Sequence, residues 1–179
     1  VWQDAARITE FVQRDPQDGA PATERTEVYI AYDSANIYLG FYAHYEDPSI
    51  MRANRSDRDQ ASRRDDIFAV YFDPFLDQQR AYVFTINGYG VQNDSILGSR
   101  GSGGGFGGGG GGGPGRGSGA PIGDDSWDAL FSSGGQIVED GFTAEMAIPF
   151  KSLRYPARTG DIPHTWGFQI VRRIRGKDE

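Results

Sequence analysis

The feature that most narrows the fold is a rhythm of short β-branched and aromatic runs, each broken after a few residues by Asn, Asp, Gly or Pro. In "EVYIAYDSANIYLGFYAHYED", which starts at Glu27, the side chains of Val28, Ile30 and Tyr32 alternate on one face. Ile37, Leu39 and Phe41 do the same after Asp33-Ser34-Ala35-Asn36, so the stretch predicts a β-hairpin. "DIFAVYFDP" is apolar on both parities, Ile67, Ala69 and Tyr71 against Phe68, Val70 and Phe72. A strand covered on both faces belongs near the centre of a layered core. "RAYVFTINGYGVQNDSI" gives a second hairpin, with Tyr82, Phe84 and Ile86 alternating before a turn at Asn87-Gly88-Tyr89-Gly90.

Later in the chain, the spacing predicts a strand over 127–132, a further piece near Ile137 and a turn at Glu139-Asp140-Gly141. A strand follows in which Phe142, Ala144, Met146 and Ile148 alternate. Pro149 stops it, "FKSLRY" can make one helical turn, and a last strand covers 166–174. The segment "DPSIMRANRSDRDQASRRDD" has no steady period and reads as a loop or short helix. About eight or nine strands without a long amphipathic helix or an internal repeat make the expected fold all-β, an antiparallel β-sandwich.

Most of the 26 glycines lie in one tract, 98–121, "GSRGSGGGFGGGGGGGPGRGSGAP". It matches a dinucleotide-binding glycine pattern only as any glycine-saturated text must, since polar loop and then strand follow it where a helix is required. Neither flanking part has enough strands to cover its apolar faces alone. The tract is therefore expected to be an internal loop between antiparallel neighbours of a single domain spanning 1–179.

The net charge of -7 argues against nucleic acid, whose phosphates demand a basic face. With no cysteine, disulfides, thiolate zinc sites and a Cys nucleophile are excluded. No apolar run reaches the roughly 18 residues of a membrane helix. Opening on "VWQDAA" and ending on "RRIRGKDE", the chain reads as a domain cut from a longer protein.

"ERTEVYIAYDSANIYLGFYAHYEDP", "RRDDIFAVYFDPFLDQQRAYVFTINGYGVQNDSI", "SWDALFSS", "EDGFTAEMAIPFKSLRYP" and "WGFQIVRRIRGKDE" follow one another in an order and spacing similar to the family 9 carbohydrate-binding module-like domains. More narrowly, the chain resembles those at the N-terminus of bacterial outer-membrane proteins, where a β-rich region expected to form a membrane barrel follows. The resemblance implies a non-catalytic glycan-binding domain in the cell envelope, whether periplasm, outer membrane or cell surface, with roles in carbohydrate uptake or catabolism. Two departures stand out. Of the family's acidic opening only Val1-Trp2 is present, and Phe131 and Phe142 occupy positions that are often Trp.

Sugar binding needs an aromatic face for the C–H side of a pyranose and polar groups at its edge for the hydroxyls. Trp127 is the candidate platform, with a core Trp as the alternative; Trp166 and Trp2 read as packing. Asn87, Gln92, Asp94 and Arg172 fall on polar-facing strand positions and could line a groove with Trp127, or be solvated. Glu145 could be a buried partner for Arg173. Asp65, Asp66 and Asp73 offer oxygen ligands for a structural calcium, with Asp124 and Asp125 adding more, although no EF-hand loop is present. His44 and His164 lack zinc spacing. No nucleophile elbow or marked carboxylate pair points to an enzyme. Two other classes stay open: an assembly domain contacting a barrel, and a haem-carrying sandwich using Met51, Met146, His44 or His164.

Overall fold

The computed structural model describes residues 2–60, 64–98, 127–158, 160 and 162–179. Nine strands form two antiparallel sheets that pack face to face: β1 (Ala6–Ile8), β2 (Thr26–Tyr32), β3 (Asn36–His44), β4 (Ile67–Asp73), β5 (Arg80–Asn87), β6 (Gln92–Gly98), β7 (Ser132–Val138), β8 (Gly141–Pro149) and β9 (Gly167–Arg173). One sheet has the order β1-β2-β3-β8-β7, the other β6-β5-β4-β9. The fold is the expected β-sandwich, and among the described residues no helix is long and apolar enough to cross a membrane.

Alternation places the core. Val28, Leu39, Phe41, Phe142, Met146 and Ile148 from the first sheet meet Phe68, Val70, Phe72, Phe84 and Ile86 from the second. Phe41 stacks on Phe68 with ring centroids 4.5 Å apart, and Phe68 meets the edge of Phe142 at 5.7 Å. Burying each such ring contributes about 2–3 kcal/mol. The expectation for β4 holds: it lies between β5 and β9, and its outward parity is covered by a small cluster in which Ala69 and Tyr71 pack with Val83. Burial there pushes the Tyr71 phenol above its ordinary range.

Strands on either side of the glycine tract are shared between the sheets, since β8 pairs with β3 and β9 with β4. The tract joins β6 and β7, which are edge strands of different sheets, so the expected pairing of its flanks is corrected: the chain crosses from one sheet to the other. Those two edges face each other. The β5–β6 turn presses on β7 so closely that a Cβ on Gly135 would sit 2.4 Å from the Gly90 nitrogen, while Gly90 itself has φ +75°. Bare backbone at both positions is what permits the contact.

Two further expectations need correction. Residues 127–131 form no strand; β7 begins at Ser132 and includes Ile137. β1, only three residues long, carries too little alternation to be read in advance. The helical turn after Pro149 is present as a 3-10 turn at Phe150–Ser152.

Candidate functional site

At the end of the sandwich where β4 finishes and β5 starts, a cleft of about 620 Å³ opens between 127–130, the start of β5 and the 3-10 turn. Trp127 and Tyr82 line it, their ring centroids 5.0 Å apart, and the edge of Trp127 contacts Phe84 at 5.7 Å. Trp127 is thus half-buried: one part rests on the core and the rest borders the cleft. Phe75, which is 42% exposed, and Leu130, 75% exposed, also line the cleft, and Arg80, Asp128, Lys151, Ser152 and Arg154 supply its polar groups.

What holds Trp127 in place is a polar clamp on residues 127–131. The Ala129 amide donates to Asp94 Oδ2 at 2.7 Å. From the loop before β4, Arg58 reaches across to the Ala129 carbonyl at 2.7 Å, to Gln92 Oε1 at 3.0 Å, and to the carboxylates of Asp94 and Asp128. Gln92 Nε2 donates to the Phe131 carbonyl at 2.9 Å. Burial raises the Asp94 carboxyl above its ordinary pKa, against the lowering effect of the Ala129 amide and Arg58. Asp94 is only 2% exposed. Arg58 is the residue that sequence reasoning missed, because a charged side chain in an aperiodic loop carries no local signal of what it will reach.

The four polar residues expected to line a groove with Trp127 are therefore placed differently. Gln92, Asp94 and Arg172 stand opposite Ile86, Phe84 and Phe68 in their ladders. Directly paired residues share a face, so these three point toward the core side at the rims of the sheets and are not on solvated faces. Gln92 and Asp94 clamp the Trp127 segment. Arg172 ties the sheets together, donating to the carbonyls of Arg25 and His44 at 2.8 and 2.7 Å and to Thr26 Oγ1 at 2.8 Å. Its guanidinium lies 4.6 Å from the centre of the Tyr45 ring. Asn87 is fully buried at the opposite end of the sandwich from the cleft.

Nor does the structure bring the three calcium candidates together. Asp65 and Asp66 precede β4, whereas Asp73 closes it. Asp65 accepts from the Asn54 and Asn87 amides, the latter at 2.7 Å. Asp66 accepts from the Tyr45 hydroxyl at 2.8 Å and from the Arg52 and Arg175 backbone amides at 2.9 and 2.6 Å. Their oxygens are thus spent on N–H and O–H donors. Asp73 receives the Phe75 and Gln78 amides in its own turn. Among the described residues no group of three or more His, Asp or Glu is placed to hold a metal; Asp124 and Asp125 lie outside them.

The remaining candidates are not brought together. Glu145 is exposed and accepts from Trp2 Nε1 at 2.9 Å, so its expected pairing with Arg173 is not formed. Trp166 packs edge-on against Phe72 and Phe150, each at 6.0 Å, as a packing residue should. Met146 faces the core, whereas His44, on the outer face of the same sheet, is flanked by Asp140 at 2.8 Å and Glu27 at 3.2 Å. His164 is exposed beside Tyr155. No Met–His pair is assembled by these residues.

The cleft around Trp127 thus joins a partly exposed aromatic surface to hydrogen-bonding groups at its edge over a fixed backbone; a second recess, on the outer face of the first sheet, sets Trp2, Tyr29 and Tyr42 beside Gln136, Thr143 and Glu145. Comparison with protein-family models, with curated proteins and with solved structures returns no match for this chain.

Proposed function

We propose that the domain is a non-catalytic glycan-binding module of a bacterial cell-envelope protein, and that the Trp127 cleft receives the sugar. The observation that carries the reading is the pairing of a clamped, half-exposed Trp127–Tyr82 surface with a rim of Asp128, Ser152, Lys151 and Arg154. A pyranose presents C–H groups on one side and hydroxyls around its edge, and that surface and rim match the two in turn. The cell-envelope setting and the barrel partner come from the resemblance, and each is part of the proposal.

One observation favours a second reading, an assembly domain without a sugar ligand. Phe75, Leu76 and Leu130 are exposed at the same end of the molecule, and apolar side chains gathered in this way also suit a protein surface. A glycan array probed with the wild type, Trp127→Ala and Trp127→Phe separates the two. The expected result is a glycan bound by the wild type, lost in Trp127→Ala and partly kept in Trp127→Phe, which preserves packing on Tyr82 and Phe84. Thermal unfolding of each variant confirms that it is folded. A wild type that binds no glycan overturns the first reading in favour of the second.

A further inference from the structure

Resting on the glycan reading of the Trp127 cleft, we propose that the sugar it selects is acidic: an oligosaccharide whose carboxylate or sulfate meets Lys151 and Arg154. The chain as a whole carries a net charge of -7, so cations gathered at one cleft run against its overall balance. Three of the residues lining the cleft are Arg80, Lys151 and Arg154, and the only carboxylate among them is Asp128. That carboxylate is held by Arg58 at 2.7 Å, and Arg80 stands near Asp77 at 3.9 Å and over the ring of Phe75. Among the described residues, Lys151 and Arg154 form no ion pair.

The two cations are also held on a fixed strap. After Pro149, Phe150 packs on the core and Leu153 is buried, which turns Lys151, Ser152 and Arg154 outward. Four hydrogen bonds fix the strap: the Phe150 amide to the Ala35 carbonyl at 2.9 Å, the Leu153 amide to the Phe150 carbonyl at 3.1 Å, the Ser152 hydroxyl to the Leu130 carbonyl at 2.7 Å, and the Arg154 amide to the Tyr82 hydroxyl at 3.3 Å. The last two join the strap to both sides of the aromatic surface. A ring stacked on Trp127 therefore presents its edge to cations whose backbone is already in place, and little ordering is left to oppose binding. An anionic substituent gains charge-assisted hydrogen bonds that a hydroxyl does not.

Calorimetric titration with matched pairs tests this: an oligogalacturonide against its methyl ester, and a sulfated galactan oligosaccharide against its desulfated form. Binding at least about tenfold tighter for the charged member of either pair is expected, and the pair that shows it identifies carboxylate or sulfate as the anion. That preference should shrink as salt rises, because exposed charges are screened. Lys151→Ala and Arg154→Ala should each lower affinity for the charged member about fivefold more than for the neutral member. Equal affinity for charged and neutral members overturns the acidic preference while the glycan reading stands. Equal losses for both members in the two variants overturn it as well. A wild type that binds neither these four probes nor any glycan on the array removes both.

Discussion

Two sets of charged and polar side chains, at opposite ends of the sandwich, are used in opposite ways. At the end where β4 begins, Asp65, Asp66, Asn87 and Arg172 are tied to partners inside the protein. At the end where β4 finishes, Lys151 and Arg154 project from a fixed strap without an ionic partner among the described residues. Polar groups whose capacity is filled by the fold are fixed and inaccessible; those left unfilled are what a ligand can reach. Counting acidic or polar residues in the sequence does not separate the two classes. Knowing where each hydrogen bond goes does.

Removing a filled carboxylate should have the largest effect. Asp66→Ala strands the Tyr45 hydroxyl and two backbone amides in a site with no exposure, so a loss of about 3–5 kcal/mol is expected. Urea unfolding measures it, and Asp66→Asn, which retains one acceptor oxygen, should recover part of the loss. If Asp66→Ala were as stable as the wild type, the view of this end as a closed structural network would fail.

A smaller effect at the same end appears in acid. Glu27, on the outer face of the first sheet, accepts from the Tyr29 hydroxyl at 2.6 Å and from Arg7, Arg25 and His44. Burial opposes them, yet these partners, Tyr29 foremost, lower its pKa from 4.5 to about 2. A carboxyl whose folded pKa lies below its unfolded value stabilises fully above the unfolded value and loses that contribution as pH falls toward the folded one. The expected window is thus from about pH 4.5 down to about 2. Arg7 and Arg25 are half or more exposed, so screening reduces the contribution to about 1–2 kcal/mol. Unfolding followed across this window should show a decline that Glu27→Gln flattens.

How much of this was legible in the sequence follows from what alternation reports. It marks extended chain with one side buried, and for β2, β3, β4, β5, β8 and β9 that coincides with ladder pairing. Over 127–131 the two come apart. Ala129 and Phe131 are buried at the spacing of a strand, yet the backbone there bonds to the side chains of Asp94, Arg58 and Gln92 and joins no ladder. The same limit explains the polar residues. Gln92 and Asp94 lie on an edge strand whose core side looks into the gap between sheets, where Arg58 arrives from a distant loop. Trp127 was visible as a candidate because an indole beside polar residues is unusual; the cations near it were not, because Lys151 and Arg154 come from a strap whose placement depends on Phe150 and Leu153 finding the core.

The smallest expected change in stability bears most directly on the cleft. Lys151→Ala and Arg154→Ala remove exposed side chains that the fold does not use, so each should leave unfolding within about 0.5 kcal/mol of the wild type. The strap is unaffected in this argument because its four hydrogen bonds come from the Phe150, Leu153 and Arg154 amides and the Ser152 hydroxyl, none of which either substitution deletes. Ser152→Ala is the useful contrast: it cuts the bond to the Leu130 carbonyl and should cost about 1 kcal/mol. If the two cation variants proved as destabilising as Ser152→Ala or more so, their charges would be engaged within the protein after all. The cleft end would then be built like the other, with its capacity already filled. If they are neutral, the charge at this rim is not engaged within the protein and stays open to a ligand.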